Sequence, residues 1–398
     1  MTICRPSNDS FSADAMSQLM KSRLHSGARP LASIPAAGKE KKIVMMRSRG
    51  SEDVLYFHYL LPQAQPEFRE TLSLPFSDNK ARPPFPEMGR RICCGECRGL
   101  LHFDTRDGDI FVCNPTTAQF SIFPRPPKES HRDVITVFKP SGFGYDHTSD
   151  DYKIVRIFWH SYSYTKTSAQ VYSFKRKSWE EIVSPLLDTS IGVFDYESGA
   201  YVSGKYYWSY VKPSSAGILS FDFAGILSFN FATDTFETSP APKSDDIIDC
   251  FYRFVELEDG KLGAILREKP EASRVSTRVE VWAFEKDGSW VRRFDATLDN
   301  VVRSLGLKHG LLFLEGKRSS ENLSQLLVYD LAAKKLEWLE IYDKFKTMEI
   351  FSYSESTYIL PDAKPMDGST CLFDGDDDDD EIEDTSDGET DNDDDGGE

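Results

Sequence analysis

One pattern recurs five times in this chain and constrains its fold more than any other feature: an apolar run ends at a turn residue, and six positions later an aromatic or leucine side chain opens a return run. The pairs are Asn114 and Phe120, Ser173 and Trp179, Asn230 and Phe236, Phe284 and Trp290, and Asp330 and Leu336, whose second members follow at intervals of 59, 57, 54 and 46 residues. Short Val, Ile, Leu, Tyr, Phe and Trp runs cut by Gly, Asp, Asn and Pro are the signature of strands and tight turns. Another strand pair lies upstream of each hairpin, most plainly around the turn Ser203-Gly204. The spacing predicts five four-stranded units, at 91–123, 143–183, 200–238, 251–295 and 301–341.

Four-stranded units repeating at about 50 residues match the period of propeller blades. Apolar stretches at 42–46, 54–61, 348–353 and 357–360 are left over, two from each end of the body. Joined in one composite blade, they would close the ring and remove the edges that a linear array leaves exposed. The expectation is an all-β, kelch-like β-propeller of about six four-stranded blades. A β-sandwich or two barrels could use the same strands, but the regular spacing favours the propeller. The Gly-Gly pair of kelch blades and the Trp-Asp pair of WD blades are both absent.

The formal charge of −18 is concentrated at one end, because residues 374–398 hold 16 Asp and Glu and no Lys or Arg. That segment repels itself and has nothing to bury, so it is expected to be a disordered acidic tail. Residues 1–40 are basic, rich in Ser and Ala, and expected to be disordered. The body, 41–373, is the folded domain. Residues 51–373 carry a net charge of only −8, which removes the simplest support for nucleic-acid binding. No window approaches the roughly 18 apolar residues of a membrane-spanning helix. A cytoplasmic protein, or one shared with the nucleus, with no nucleic-acid or membrane partner, is expected.

Seven scattered cysteines do not form a disulfide framework. Cys94 and Cys97 have the spacing of half a zinc site, with only His102 and Cys113 near enough in sequence to complete it. Buried thiols on a strand are the simpler expectation. The Asp146–Asp151 stretch lacks the ligand order and terminal Glu of a calcium loop and reads as a strand-connecting turn. A Walker loop, a His-Glu-x-x-His helix and a Gly-x-Ser-x-Gly elbow are not present in the sequence. No enzyme, catalytic residue, metal or cofactor is therefore expected.

Several stretches nevertheless form an ordered series: 96–101 (ECRGLL), 112–117 (VCNPTT), 142–146 (GFGYD) and 150–157 (DDYKIVRI). Later come 171–173 (VYS), 178–179 (SW), 226–229 (ILSF), 279–282 (VEVW) and 327–330 (LVYD). In order and spacing, from about 42 to 360, the series resembles the plant F-box-associated domain, as in the S-locus F-box group. The resemblance implies a substrate receptor of an SCF-type ubiquitin ligase, acting in ubiquitin-dependent degradation, with a protein target and a Skp-type adaptor as partners. An F-box would dock the adaptor, but residues 1–50 show no Leu-Pro start, Arg-Leu-Pro or Cys-Lys-Ser-Trp element. Adaptor binding by this chain is accordingly not expected. A propeller enzyme or a glycan- or small-molecule-binding module is the alternative reading.

A second departure is the tandem 216–223 and 224–231 (AGILSFDF, AGILSFNF). Eight is an even number, so either copy keeps its side chains on the same strand faces. The spare copy is expected to lengthen the preceding loop and expose Ile218, Leu219 and Phe221.

In an up-and-down blade the first-to-second and third-to-fourth turns emerge on one face, and all other connections on the opposite face. The first set is short in this sequence and the second is long, and long loops on a rigid scaffold are where recognition concentrates. Within or beside the long set, Arg132, Tyr162, Tyr164, Arg267, Arg274 and Arg318 are the residue types that dominate interface energetics, and they are the candidate partner contacts.

Overall fold

A computed structural model of the chain describes residues 42–49, 52–58, 69–77, 93–104, 110–127, 140–159, 167–188, 199–213, 221–247, 249–269, 276–317, 324–339 and 348–365. Three N-terminal strands, β1 (Lys42–Arg49), β2 (Glu52–His58) and β3 (Arg69–Ser77), are followed by five units in chain order. The first is β4 (Cys93–Cys97), β5 (Leu100–Asp104), β6 (Ile110–Asn114) and β7 (Gln119–Phe123). The second is β8 (Ser141–Asp146), β9 (Asp151–Trp159), β10 (Thr167–Ser173) and β11 (Ser178–Ile182). The third is β12 (Ala200–Val202), β13 (Lys205–Pro213), β14 (Phe221–Asn230) and β15 (Thr235–Ser239). The fourth is β16 (Cys250–Glu256), β17 (Leu262–Glu268), β18 (Ser276–Phe284) and β19 (Trp290–Asp299). The fifth is β20 (Val301–Lys308), β21 (Leu311–Lys317), β22 (Ser324–Asp330) and β23 (Lys335–Leu339), and the chain continues through β24 (Met348–Tyr353) and β25 (Lys364–Pro365).

Each unit is an antiparallel meander, and the leading strands β4, β8, β12, β16, β20 and β24 touch one another in sequence around a closed ring. The fold is a β-propeller. Five sheets have four strands, and the sheet of the first unit has a fifth, because β25 pairs with the outer edge of β7. The expected uniform four-stranded blades are thus found five times and departed from once.

Composite closure is present, with β24 pairing with β1 so that one sheet runs β24-β1-β2-β3. Its fourth strand is β3, which the sequence reading passed over. Residues 357–360, assigned there to that blade, instead cross to the first unit. Asn114 Nδ2 donates to the carbonyls of Ser356 (3.0 Å) and Tyr358 (2.8 Å), and Ser121 Oγ donates to that of Pro361. Leu360 is buried in the seam between the first two units, and Tyr358 packs beside it. These contacts make 354–365 a strap over that seam.

Local chemistry explains the six-residue pattern. The pairs Asn114↔Gln119, Ser173↔Ser178, Asn230↔Thr235 and Asp330↔Lys335 close four-residue turns. In each, the first side chain accepts from a backbone N–H two or three residues on: Thr116, Arg176, Ala232, and both Ala332 and Ala333. Such caps favour Asn, Asp and Ser at that position. Each turn ends in a left-handed residue, namely Ala118, Lys177, Asp234 and Lys334, with φ between 49° and 54°.

Inner strands are buried over their whole length, polar residues included, since neighbouring blades cover both faces: β5, β6, β8 and β10 are buried throughout, whereas β11 is largely exposed. Gly142 and Gly144 make this close approach possible. A Cβ at Gly142 would meet Trp208 at 2.6 Å, and one at Gly144 would meet the Phe231 ring at 2.1 Å.

Candidate recognition face

The family-like words turn out to join blades. Asp104, at the end of β5, lies 2.6 Å from Arg156 of β9 and 3.3 Å from His102 Nε2, and it accepts from the Ser141 hydroxyl of β8. All four side chains are buried. Burial works to raise the Asp104 carboxyl, but Arg156, then His102 and Ser141, outweigh it and hold it at about 2. One seam further on, Lys153 lies 3.1 Å from Asp146 and reaches into the third unit, donating to the Phe231 carbonyl (2.8 Å) and to Asp234 (2.9 Å). Trp179 and Trp290 donate to the carbonyls of Pro124 and Pro240, pinning the chain where it leaves the preceding blade.

The other chemistry-bearing residues serve the fold as well. Asp146 caps its own hairpin through the N–H groups of Thr148 and Ser149, so the calcium-like stretch is the expected turn. Cys97 and Cys113 are buried, and burial pushes both thiols upward, which keeps them protonated. His102 is taken up by Asp104. At the centre of the ring, Glu349 of β24 pairs with Arg253 of β16 (2.9 Å) and Arg303 of β20 (2.5 Å), and Arg303 also pairs with Glu315 (2.9 Å). Burial would raise the Glu349 carboxyl, yet the two guanidinium groups keep it below its usual range.

The two faces of the ring differ in their connections. In the five units, turns within the strand pairs span two to five residues, from Arg98-Gly99 and Ser203-Gly204 to 285–289, whereas in the composite sheet ten residues join β2 to β3 and two join β1 to β2. On the opposite face, seven residues join β9 to β10, another seven join β13 to β14, and 17 join β7 to β8. That face is not uniformly long-looped, since Asn300 alone links β19 to β20.

Arg132, Tyr162, Tyr164, Arg274 and Arg318 lie outside the described residues. Arg267 belongs to β17, where it sits opposite Phe251 of β16, with its guanidinium 4.6 Å above the Phe251 ring. It is buried. It therefore supports the exposed Phe251 (42 %), whose ring also lies 5.4 Å from the Lys269 ammonium.

On the other flank of β16, Phe223 is 41 % exposed and stacked on Tyr252, with centroids 4.1 Å apart. Phe223 comes from the duplicated segment. The second copy supplies the buried Ile226, Leu227, Phe229 and Phe231, while Phe221–Phe223 of the first pair with Val211–Pro213 beyond a bulge at Ala224. The spare copy thus lengthens a strand pair at the long-connection face; Ile218, Leu219 and the Phe221 side chain lie outside the described residues. Sequence reasoning missed Phe223, for which the duplication was the available signal, and Phe251, for which there was none.

The molecule is thus a β-propeller in which buried ion pairs such as Asp104–Arg156 join blades and, among the described residues, the exposed Phe223 and Phe251 lie at the long-connection face. A family model described as the F-box associated beta propeller domain matches residues 67–319, and the chain belongs to that family. It is 27% identical over 232 residues to an F-box/kelch-repeat protein of Arabidopsis thaliana, covering 56% of this chain and 58% of the relative. It is 25% identical over 290 residues to the F-box protein CPR1 of Arabidopsis thaliana, covering 65% and 66%. The chain thus spans less than two thirds of the length of either relative. Among solved structures, an oligogalacturonate lyase in complex with manganese aligns over 78% of this chain and 84% of that one, at 9% identity and a TM-score of 0.41. That likeness says nothing about activity.

Proposed function

We propose that the propeller is a protein-recognition module that holds a target for SCF-type ubiquitination, binding through the face of the long connections and catalysing no step itself. Membership of the F-box associated family carries the reading. The asymmetry of the faces supports the choice of side: the tight turns cap their own backbone groups, whereas the opposite face presents the exposed aromatics Phe223 and Phe251, with Lys269, beside long connections. The site of action is the cytoplasm or nucleus. Pairing with a Skp-type adaptor would be the task of an F-box, and the purified 398-residue chain should not retain the adaptor stoichiometrically in a pull-down.

Proximity labelling followed by direct binding to the purified target tests the face. Charge reversal at Arg132, Arg274 and Arg318, or Phe251→Ser, should weaken target binding at least tenfold without unfolding the protein. Reversal at Lys175 and Lys177, on the turn face, should leave it unchanged. The opposite pattern would reject the assignment.

A further inference from the structure

The β10–β11 turn carries Lys175, Arg176 and Lys177 in succession, with side chains 55 %, 46 % and 58 % exposed and no acidic residue in the turn. Their carboxylate partners are Asp150 at 3.5 Å, Glu180 at 3.0 Å and Asp362 at 3.3 Å, all on the surface, and Lys175 also donates to the Ser149 carbonyl at 2.7 Å. Exposed pairs of this kind are each worth about 0–1 kcal/mol, so a denser array of carboxylates can displace them. Other turns on this face carry acids, such as Glu258-Asp259 and Glu285-Lys286-Asp287.

The strap leads straight to this turn. Asp362 already reaches Lys177, and β25 runs antiparallel to β7 with Pro365 opposite Gln119, so the described chain ends on the turn face at the outer edge of the first unit. The acidic run Asp376 to Glu381 begins 11 residues later. Fully extended, that interval reaches about 35 Å, several times what is needed to return to a turn the strap already touches.

We propose that the acidic segment 374–398 docks in cis on Lys175, Arg176 and Lys177, held by many exchangeable carboxylate contacts in place of one fixed geometry. Phosphate on Ser386 or Thr390, each with an acid three residues on, would add charge to the same contact. The proposal does not depend on the target-recognition reading.

Amine acetylation footprinting at low ionic strength tests it. The full chain is compared with a chain lacking 374–398, and reactivity is read by mass spectrometry at Lys175 and Lys177, with Lys286 and Lys334 as turn-face references. Lys175 and Lys177 should react at least threefold more slowly in the full chain, the references should change little, and 0.5 M salt should abolish the difference. In a second arm, a fluorescent 374–398 peptide added to the shortened chain should bind, and K175E/R176E/K177E should remove that binding while K334E/K335E does not. Equal reactivity in the two chains, equal protection of all four lysines, or peptide binding indifferent to the triple reversal would overturn the proposal.

Discussion

Replacing Arg156 by Met should destabilise the propeller by about 3–5 kcal/mol, the usual consequence of removing one partner from a buried ion pair. The loss should also depend on pH in the sense opposite to the native cluster. In the native protein Asp104 is held at about 2, below its unfolded value near 4, so its contribution is fully present above pH 4 and is lost as pH falls through 2. That contribution is roughly 2 kcal/mol. Without Arg156, burial prevails, and the carboxyl, flanked by His102 and Ser141, rises above its unfolded value. The fold then favours the protonated acid, so the penalty is smallest below pH 4 and grows as pH rises. Urea unfolding at pH 5 and pH 8 measures this, with Trp208 as reporter, since its indole N–H donates to the Ser141 carbonyl at 3.2 Å. Arg156→Met should lose more at pH 8, and Asp104→Asn with Arg156→Met should recover part of the loss. A single-variant loss under 1 kcal/mol, or an equal loss at both pH values, would refute the reasoning.

Asn114→Ala removes two bonds to the strap and one to its own turn; a loss of about 1–3 kcal/mol and faster hydrogen exchange across 354–365 than elsewhere are expected. Gly144→Ala pushes a methyl into the Phe231 ring and should cost at least about 1–3 kcal/mol in chemical denaturation, while an alanine at Gly260, where no atom lies within 4 Å of the added Cβ, meets only the strain of its φ of 75°. Deleting 374–398 moves the formal charge from −18 to −2 and should change Tm by less than about 2 °C, because exposed ion pairs contribute little.

The repeat was legible because its cause is local: Asn114, Ser173, Asn230 and Asp330 each cap a turn within three residues, and such chemistry is written in the order of the chain. The Phe284–Trp290 instance shares the spacing by a different route, a five-residue turn in which Asp287 accepts from Ser289 N–H. β3 escaped notice because Arg69–Ser77 pairs with β2 through two irregularities and mixes polar residues and a proline into the strand. The fate of 357–360 was hidden for another reason: an apolar run does not say which sheet it covers, and here Asn114, more than 240 residues away, decides. Arg267 was misplaced because its residue type suggests a contact, whereas its register opposite Phe251 buries it. In DDYKIVRI, Lys153 and Arg156, which the sequence marked only by its resemblance, are the rivets between blades, while Asp150 and Asp151 tie down their own blade.

The composite blade also imposes a schedule on synthesis. β1, β2 and β3 leave the ribosome first, yet β24, which completes their sheet, follows only after roughly 270 further residues. At about 5–20 residues per second the nascent chain spends some 15–55 s with the inner edge of β1 unpaired. Five units can form one after another during that interval, each lending a face to the next, while the first strands made are the last to be satisfied. A chain interrupted before β24 would keep that edge open and sticky, so closure of this propeller waits on one strand, β24.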